Sequence, residues 1–280
     1  RVASGGFARL RAAGVAVEQG LLWYECRRLN EHYARYIRGG VFVTLKSAMT
    51  LDGRIAAPEN QHSERALSGE ESRACVQRLR HQHDALVTGS GTVLADDPLL
   101  SDRSGLPRRR PLLRVVMDSG LRLPPDSRLV KSAQGDLLVV GARQAPPARA
   151  EALERRGVEV LLLSSEGRDA FPALLGILRQ REITGLLLEA GARLNASALE
   201  SGLVDKLVLF YAPKLLGGQD AVPLFAGPGF RTLSQARPVR IAEVRRSGED
   251  IVVEGYLRDP YEDQECGMQI AESGTPNFEL

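Results

Sequence analysis

Residues 84–103, DALVTGSGTVLADDPLLSDR, combine a short apolar strand, a glycine turn and two adjacent acidic side chains. Residues 85–87 predict a buried strand, which the run 89–91 (GSG) interrupts. Thr92 follows at the position expected for a helix N-cap. A strand that leads through glycines into a helix start exposes several backbone N–H groups at one point, and this arrangement suits a phosphate.

Two interpretations of this stretch stay open on its own residues. The run 89–94, GSGTVL, is close to the dinucleotide-binding fingerprint but lacks its third glycine. A plain strand-to-helix turn capped by Thr92 explains it equally well, because such turns are common in α/β folds. The ends of the other strands therefore decide between a ligand site and a turn.

Apolar strands alternate with helical segments on both sides of this stretch. Strands are predicted over residues 41–47, 113–118, 137–140, 158–163, 186–189, 207–212 and 251–257. Helices are predicted over residues 25–37, 69–80, 146–157, 171–180 and 194–201. This alternation predicts an α/β fold with a mostly parallel central sheet and helices on both faces.

Ligands of such sheets bind beyond the carboxyl ends of the strands. Unusual polar residues fall near these ends, namely Lys46, residues 89–96, Ser119 and residues 189–193. Lys46 either faces an anion in a cleft or extends from the strand end to water. The convergence favours a ligand site over a plain turn.

Composition narrows the class of partner. A formal net charge of +2 over 280 residues argues against nucleic acid as the main partner, yet it allows a local basic pocket for a phosphorylated small molecule. Three widely spaced cysteines without a CxxC motif fit a reducing, cytoplasmic setting. No apolar run approaches the ~20 residues of a membrane span, so no membrane partner is expected.

Two basic motifs, a histidine pair and an arginine run, are interpreted as structural rather than functional. The pair His81 and His83 has the spacing of metal ligands, but no third ligand is nearby in the sequence. No metal site is therefore predicted. The run 108–111, RRRP, is interpreted as a solvated basic loop.

Five phrases together resemble one family: VTLKSAMTLDGRIA (43–56), GSGTVLADDPLLSDR (89–103), RVVMDS (114–119), LLLEAGARLNASALESGLVDKLVLFYAPKLLGG (186–218) and GEDIVVEGYLR (248–258). They are similar to the reductase domain of the bifunctional riboflavin-biosynthesis deaminase–reductase, over about residues 41–258. Residues 1–40 resemble the last segment of its deaminase domain. The combined zinc signature, H-x-E with P-C-x-x-C, is absent, so deaminase activity is not expected. Residues 259–280 are predicted to form an acidic tail, with disorder as an open interpretation.

The resemblance implies a dihydrofolate-reductase-like fold, a homodimer and NADPH as hydride donor. It implies that the substrate is 5-amino-6-(5-phosphoribosylamino)uracil, a phosphorylated pyrimidine whose ribose becomes ribityl. It assigns the cofactor to Ala48, Thr92, Asp96, Ser119, Gly191, Ala192, Arg193, Leu194, Asn195, Ala196 and Ser197. It assigns the substrate to Ser63, Arg80, Leu100, Arg103 and Glu189.

Chemical roles follow from these assignments. The turn that begins at Gly191 would hold cofactor phosphate, with Arg193 near the 2′-phosphate. Arg80 and Arg103 would clamp the ribose 5-phosphate, because guanidinium groups bind phosphate in a bidentate manner. Three residues are assigned to catalysis. Lys46 and Glu189 would polarise the reacting group and relay a proton, and Asp96 would orient cofactor and ribose.

One departure leaves alternatives open. The family usually reads close to S-Q-W-I-T where this chain has residues 62–68, HSERALS, and its tryptophan is replaced near Ala66. One alternative is a reductase of the same fold for another phosphoribosyl or pteridine-like substrate. The other is a catalytically silent partner domain for a separate deaminase, against which the charged set of Lys46, Asp96, Arg103 and Glu189 argues.

Overall fold

The computed structural model describes residues 5–18, 20–58, 67–165 and 167–261. The helices are α1 (Gly6–Ala12), α2 (Trp23–Leu29), α3 (Glu31–Ile37), α4 (Glu70–Gln82), α5 (Ser90–Asp96), α6 (Arg128–Lys131), α7 (Pro147–Glu154), α8 (Ala170–Gln180) and α9 (Ala192–Glu200). The strands are β1 (Phe42–Thr50), β2 (Arg54–Ala56), β3 (Ala85–Gly89), β4 (Leu113–Met117), β5 (Leu137–Ala142), β6 (Glu159–Leu163), β7 (Gly185–Leu188), β8 (Lys206–Ala212), β9 (Val222–Pro223), β10 (Arg240–Ser247) and β11 (Asp250–Tyr256). Within these ranges, no helix has both the length and the apolar character that a membrane span requires.

The central sheet has the strand order β10-β11-β8-β1-β7-β3-β4-β5-β6. Its members from β8 to β6 pair in parallel. At the other side, β11 runs antiparallel to β8, and β10 runs antiparallel to β11. The short strands β2 and β9 pair with each other outside this sheet. The predicted mostly parallel α/β sheet is therefore confirmed.

Helices cover both faces of the parallel part of the sheet. Phe171 and Leu174 of α8 belong to the same buried cluster as Leu188 on β7. Leu129 of α6 belongs to the cluster on the other face, together with the neighbouring β7 residue Leu187. Successive side chains of a strand point to opposite faces, so two covered faces make the strand apolar throughout. This is why the strands read as continuous apolar runs in the sequence.

Helix α3 packs at the amino ends of β1 and β7. The ring of His32 lies with its centroid 5.0 Å from that of Phe42 and 4.6 Å from that of His83. The same ring fills the space beside Gly185, where a Cβ atom would collide with it. Burial lowers the pKa of His32 well below its usual value and that of His83 to about 4, so this stacked pair is neutral at physiological pH.

A buried ion cluster fixes α3 to the antiparallel side of the sheet. The Nζ atom of Lys206 lies 3.2 Å from Oε1 of Glu31 and 3.3 Å from Oε2 of Glu254. The hydroxyl of Tyr256 donates a hydrogen bond to the other oxygen of Glu31 at 2.5 Å. Residues 31–37 are thus held by the sheet. The assignment of residues 1–40 to the end of another domain stays a prediction.

Several local predictions are wrong for identifiable reasons. The N-cap of α5 is Gly89, so Thr92 is the third residue of the helix rather than its cap. The helix predicted over 25–37 is two helices, because the side chain of Asn30 bonds the carbonyl of Cys26 and ends the first one. Strand β10 was not predicted, because its apolar residues are interspersed with Arg and Glu.

Replacing Lys206 with Met should strongly destabilise the protein. The change leaves the carboxylates of Glu31 and Glu254 buried side by side without their shared cation. Removing one partner of a buried ion pair costs about 3 kcal/mol or more of unfolding free energy. Urea denaturation of Lys206→Met measures this loss.

The exposed Lys131 on α6 provides a matched control for that substitution. Lys131→Met should change the unfolding free energy by no more than about 0.5 kcal/mol. Equal stability of the two variants would contradict the structural importance of the buried cluster.

Candidate active site

A cleft of about 1600 Å³ opens where the parallel strands end. Its lining includes Lys46 on β1, Gly89 at the end of β3, Ser119 after β4 and Glu189 after β7. Gly89, Ser119 and Glu189 stand at the carboxyl ends of their strands. Lys46 lies in the middle of β1, one residue beyond Leu45, whose partner Leu188 ends the neighbouring strand β7. The predicted convergence of polar residues at this edge is what the structure shows.

Two helices begin at this edge on neighbouring strands. Gly89 is the N-cap of α5 and Gly191 is the N-cap of α9, so neither helix start is covered by a capping side chain. The hydroxyl oxygen of Thr92 lies 3.8 Å from the position that a Cβ on Gly191 would occupy. The first N–H groups of a helix lack partners within the helix, and their partial positive charge attracts anions. This half of the cleft can hold a phosphate or pyrophosphate.

The other half contains a compact ion cluster. Arg80 donates from Nε to Oε1 of Glu189 at 2.7 Å and from an Nη to Oε2 at 3.0 Å. The ammonium of Lys46 lies 3.7 Å from Oε2 of the same carboxylate. The side chains of Lys46 and Glu189 are only 15% and 10% exposed. One carboxylate therefore faces two cations in a largely dry setting.

Burial and charge act in opposite directions on this cluster. Burial would raise the pKa of Glu189, but Arg80 and Lys46 outweigh it and hold that pKa below its usual value. Burial also disfavours the ammonium form of Lys46 and lowers its pKa, which Glu189 offsets only in part. Glu189 is consequently a fixed negative charge, whereas Lys46 releases a proton more readily than an exposed lysine. That pairing suits proton donation to a substrate.

Residues 101–103 border the same half of the cleft. An Nη of Arg80 donates to the carbonyl of Ser101 at 3.0 Å, and the N–H of Arg103 donates to the side-chain oxygen of Gln77 at 2.8 Å. The side chain of Arg103 is exposed and lines the cleft. Arg73, two helical turns before Arg80 on α4, is also exposed there. These two guanidinium groups are the accessible cations of this half among the described residues lining it.

Most of the site residues predicted from the sequence line this cleft: Lys46, Ala48, Arg80, Thr92, Asp96, Arg103, Ser119, Glu189, Gly191, Ala192, Arg193, Leu194, Ala196 and Ser197. Ser63 lies outside the described residues. The structure brings these cleft-lining residues together, and their individual roles stay predictions.

Two predicted residues are placed elsewhere. Leu100 is 5% exposed and packs in the core beneath α5 and α6, so its side chain does not line the cleft. Asn195 is fully buried and donates its amide to the carbonyls of Ala190 and Leu224. Asn195 therefore holds the turn before α9 in place rather than facing a ligand directly.

The basic run at 108–111 differs from the solvated loop that was expected from the sequence. The side chain of Arg108 is only 17% exposed, and its guanidinium bonds four carbonyl oxygens and the carboxylate of Asp102. The expected solvated loop is therefore wrong for Arg108. Its position, six residues after Asp102, carried no signal of this contact in the sequence.

The histidine pair is divided between two environments. His81 Nδ1 lies 3.1 Å from a carboxylate oxygen of Asp102, whereas His83 is buried between the Leu79 carbonyl and the Thr44 hydroxyl. The two rings do not converge on one point. Among the described residues, no three His, Cys, Asp or Glu side chains group as metal ligands.

Comparison with known proteins places the chain in a family. The family model described as RibD C-terminal domain matches residues 41–253. The riboflavin biosynthesis protein RibD of Actinobacillus pleuropneumoniae is 38% identical over 261 residues, which cover 92% of this chain and 68% of that protein. A protein of Methanothermobacter thermautotrophicus, named 2,5-diamino-6-ribosylamino-4(3H)-pyrimidinone 5′-phosphate reductase, is 37% identical over 215 residues, covering 76% of this chain and 96% of that protein.

Solved structures agree with this placement. Acinetobacter baumannii RibD superimposes with a TM-score of 0.74 and 29% identity, covering 91% of this chain and 69% of that one. The shared fold confirms the predicted dihydrofolate-reductase-like α/β class. The match to residues 41–253 and the 38% identity with a RibD protein together show that this chain belongs to the RibD C-terminal domain family.

Proposed function

We propose that this protein is an NADPH-dependent reductase of riboflavin biosynthesis that converts the ribose of 5-amino-6-(5-phosphoribosylamino)uracil to a ribityl group. The observation that carries the proposal is the buried cluster of Lys46, Glu189 and Arg80 opposite two uncapped helix starts. NADPH supplies the hydride when bound; the protein supplies placement and the proton. The names of the relatives, which include a pyrimidinone 5′-phosphate reductase, support the same chemistry.

Lys46 and Glu189 divide the proton chemistry between them. Reduction at C1′ of the opened ribose requires a hydride at carbon and a proton on the adjoining oxygen or nitrogen. Lys46 donates that proton, since burial lowers the pKa of its ammonium. Glu189 stays ionised and orients both the ammonium and the substrate hydroxyls. Asp96, exposed at the end of α5, orients the cofactor and the ribose.

The substrate phosphate binds Arg103 and Arg73 in this proposal. Arg80 was expected to share the phosphate clamp, but its guanidinium already bonds both oxygens of Glu189 and the carbonyl of Ser101. Its main role is therefore to hold Glu189. The exposed guanidinium groups of Arg103 and Arg73 can approach a phosphate without breaking a buried ion pair, although Arg73 also donates to the carbonyl of Ser68 at 2.8 Å.

Preference for NADPH over NADH is supported by the end of β4. In dinucleotide sites, a carboxylate at such a strand end reads the ribose 2′-hydroxyl, and an arginine accommodates a 2′-phosphate. Here the carboxylate of Asp118 is 1% exposed and accepts a hydrogen bond from the N–H of Leu123. The cleft also presents Arg122, which bonds the Ser90 hydroxyl at 3.0 Å and lies 3.6 Å from a carboxylate oxygen of Asp118, together with Arg149 and Arg193.

A second candidate substrate is the 2-amino pyrimidinone named for the Methanothermobacter relative. That protein aligns over 96% of its length with this chain, and it is named as a reductase. The two pyrimidines differ at one ring substituent, whereas the ribose phosphate that meets Lys46 and Arg103 is common to both. The ribose chemistry argued here therefore applies to either.

We also propose a homodimer in the cytoplasm. Ile241, Val244 and Ile251 share one face of the antiparallel edge by their register, and they are 53%, 59% and 40% exposed. Contiguous exposed apolar side chains favour association with another copy.

The free thiols of Cys26 and Cys75 fit a reducing compartment such as the cytoplasm. Sedimentation equilibrium of the purified chain at micromolar concentration should give the mass of two chains; a single-chain mass would contradict the dimer.

An absorbance assay tests the catalytic proposal. Purified protein is mixed with NADPH and the deaminated pyrimidine, and in a parallel reaction with NADPH and the 2-amino counterpart. The absorbance of the reduced nicotinamide is followed in both. Consumption with the deaminated compound supports the stated substrate, and consumption only with the other supports the second candidate. No consumption with either would support a catalytically silent domain.

The pH profile should report the proton donor. The protonated form of Lys46 is active, and its pKa lies below the ordinary 10.5, so kcat should fall as pH rises through that lowered value. Lys46→Arg keeps the positive charge but does not release a proton in this range. This variant should lose about 100-fold in kcat and lack the alkaline decline. An unchanged decline in Lys46→Arg would remove Lys46 from proton transfer.

Replacing Arg122 should change cofactor choice. Loss of one charge-assisted contact corresponds to about tenfold in affinity, so Arg122→Ala should raise KM for NADPH about tenfold. KM for NADH, which lacks the 2′-phosphate, should stay within about twofold of the wild-type value. Arg128→Ala, an exposed arginine on α6, serves as the control and should alter neither constant. Equal effects on both cofactors would contradict a contact to the 2′-phosphate.

A further inference from the structure

Three consecutive residues beside the cleft are each tied to α4 or to its carboxyl end. Ser101 accepts a hydrogen bond from Arg80, and Asp102 lies 3.1 Å from His81. The N–H of Arg103 donates to the side chain of Gln77. The segment 101–103, which carries the exposed Arg103, therefore keeps a fixed position relative to the helix that carries Arg80.

Arg108 joins the same segment to the carboxyl end of α4. One Nη donates to the carbonyls of Arg80 and His81 at 2.9 and 3.0 Å and to the carboxylate of Asp102 at 2.9 Å. The other Nη donates to the carbonyl of His83 at 2.7 Å. The last carbonyls of a helix lack partners within the helix and attract cations. A single guanidinium thus caps α4 and binds the carboxylate of the neighbouring segment.

We propose that Arg108 is a positioning residue for the substrate half of the cleft, setting Arg103 and the Arg80–Glu189 pair at a fixed separation through Asp102. The inference rests on the proposed function, because it assumes that Arg103 holds the phosphate of the substrate. Arg108 is not among the residues that line the cleft within the described chain, so it acts through other residues.

The chemistry of the contact explains why an arginine stands at this position. A guanidinium has five N–H donors in a rigid plane and can bond carbonyls and a carboxylate together. A lysine offers three donors at a single point and cannot span the same set. Asp102 also accepts from the N–H of Ser104 at 2.9 Å, so losing Arg108 would leave this carboxylate held mainly from its own segment and by His81.

Steady-state kinetics of Arg108→Met test the proposal. Methionine keeps much of the apolar stem and removes every donor. We expect KM for the phosphorylated pyrimidine to rise about tenfold, in line with the loss of charge-assisted hydrogen bonds. KM for NADPH should stay within about twofold and kcat within about threefold, because the cofactor half is untouched. Arg109→Met, an exposed neighbour with the same change of charge, should match the wild type.

A double-mutant comparison separates positioning from general stability. Asp102→Asn removes the negative charge that Arg108 binds, so it should raise KM for the phosphorylated pyrimidine as well. The double variant should have a KM no higher than that of either single variant. Multiplying effects in the double variant, or equal losses for pyrimidine and NADPH, would overturn the proposal. If Arg108→Met does not fold, Asp102→Asn alone must show the selective rise in KM or the proposal fails.

Binding of ribose 5-phosphate distinguishes this inference from the proposed function. The probe carries the phosphate but not the pyrimidine, and titration calorimetry follows it without turnover. Suppose that the wild-type protein binds ribose 5-phosphate but oxidises no NADPH with either pyrimidine. That result would contradict the reductase function and leave the positioning role measurable. Arg108→Met that binds the probe as tightly as the wild type would overturn the positioning role alone.

Discussion

The cleft depends on keeping one carboxylate charged where little water reaches it. Glu189 emerges from the central strand β7, and burial there would favour its neutral form. Arg80 arrives from α4 and Lys46 from β1, and both act against the cost of desolvation. The three side chains come from separate elements, so the sheet and α4 must be assembled before the charge can be stabilised. Fold and chemistry are joined at this point.

The sheet itself was readable from the sequence because burial on both faces produces continuous apolar runs. Strands such as β5 are buried at every position. β5 begins at its predicted residue, 137, and ends at Ala142, two residues after the predicted end. The carboxyl edge then followed from the rule that ligands of parallel sheets bind there. Lys46 and Glu189 could be singled out because each adds a charge to an otherwise apolar strand or its end.

Contacts between distant segments could not be read in the same way. Arg108 resembles any exposed arginine in a basic run, and only the folded chain places it against the carboxyl end of α4. Asn195 matched a cofactor motif by position, yet its amide bonds two buried carbonyls. Thr92 is a residue type typical of helix N-caps, but Gly89 already has the extended backbone of the residue that starts the helix. Local patterns specify elements, whereas partners depend on the three-dimensional arrangement.

The stacked ring at the amino edge limits how this chain can vary over time. His32 occupies the volume that any side chain at position 185 would need, and it is wedged between Phe42 and His83. A larger residue at 185 is tolerable only after His32 has become smaller, and a smaller residue at 32 opens a void until 185 has grown. The two positions are therefore evolutionarily coupled, and viable sequences should exchange bulk between them.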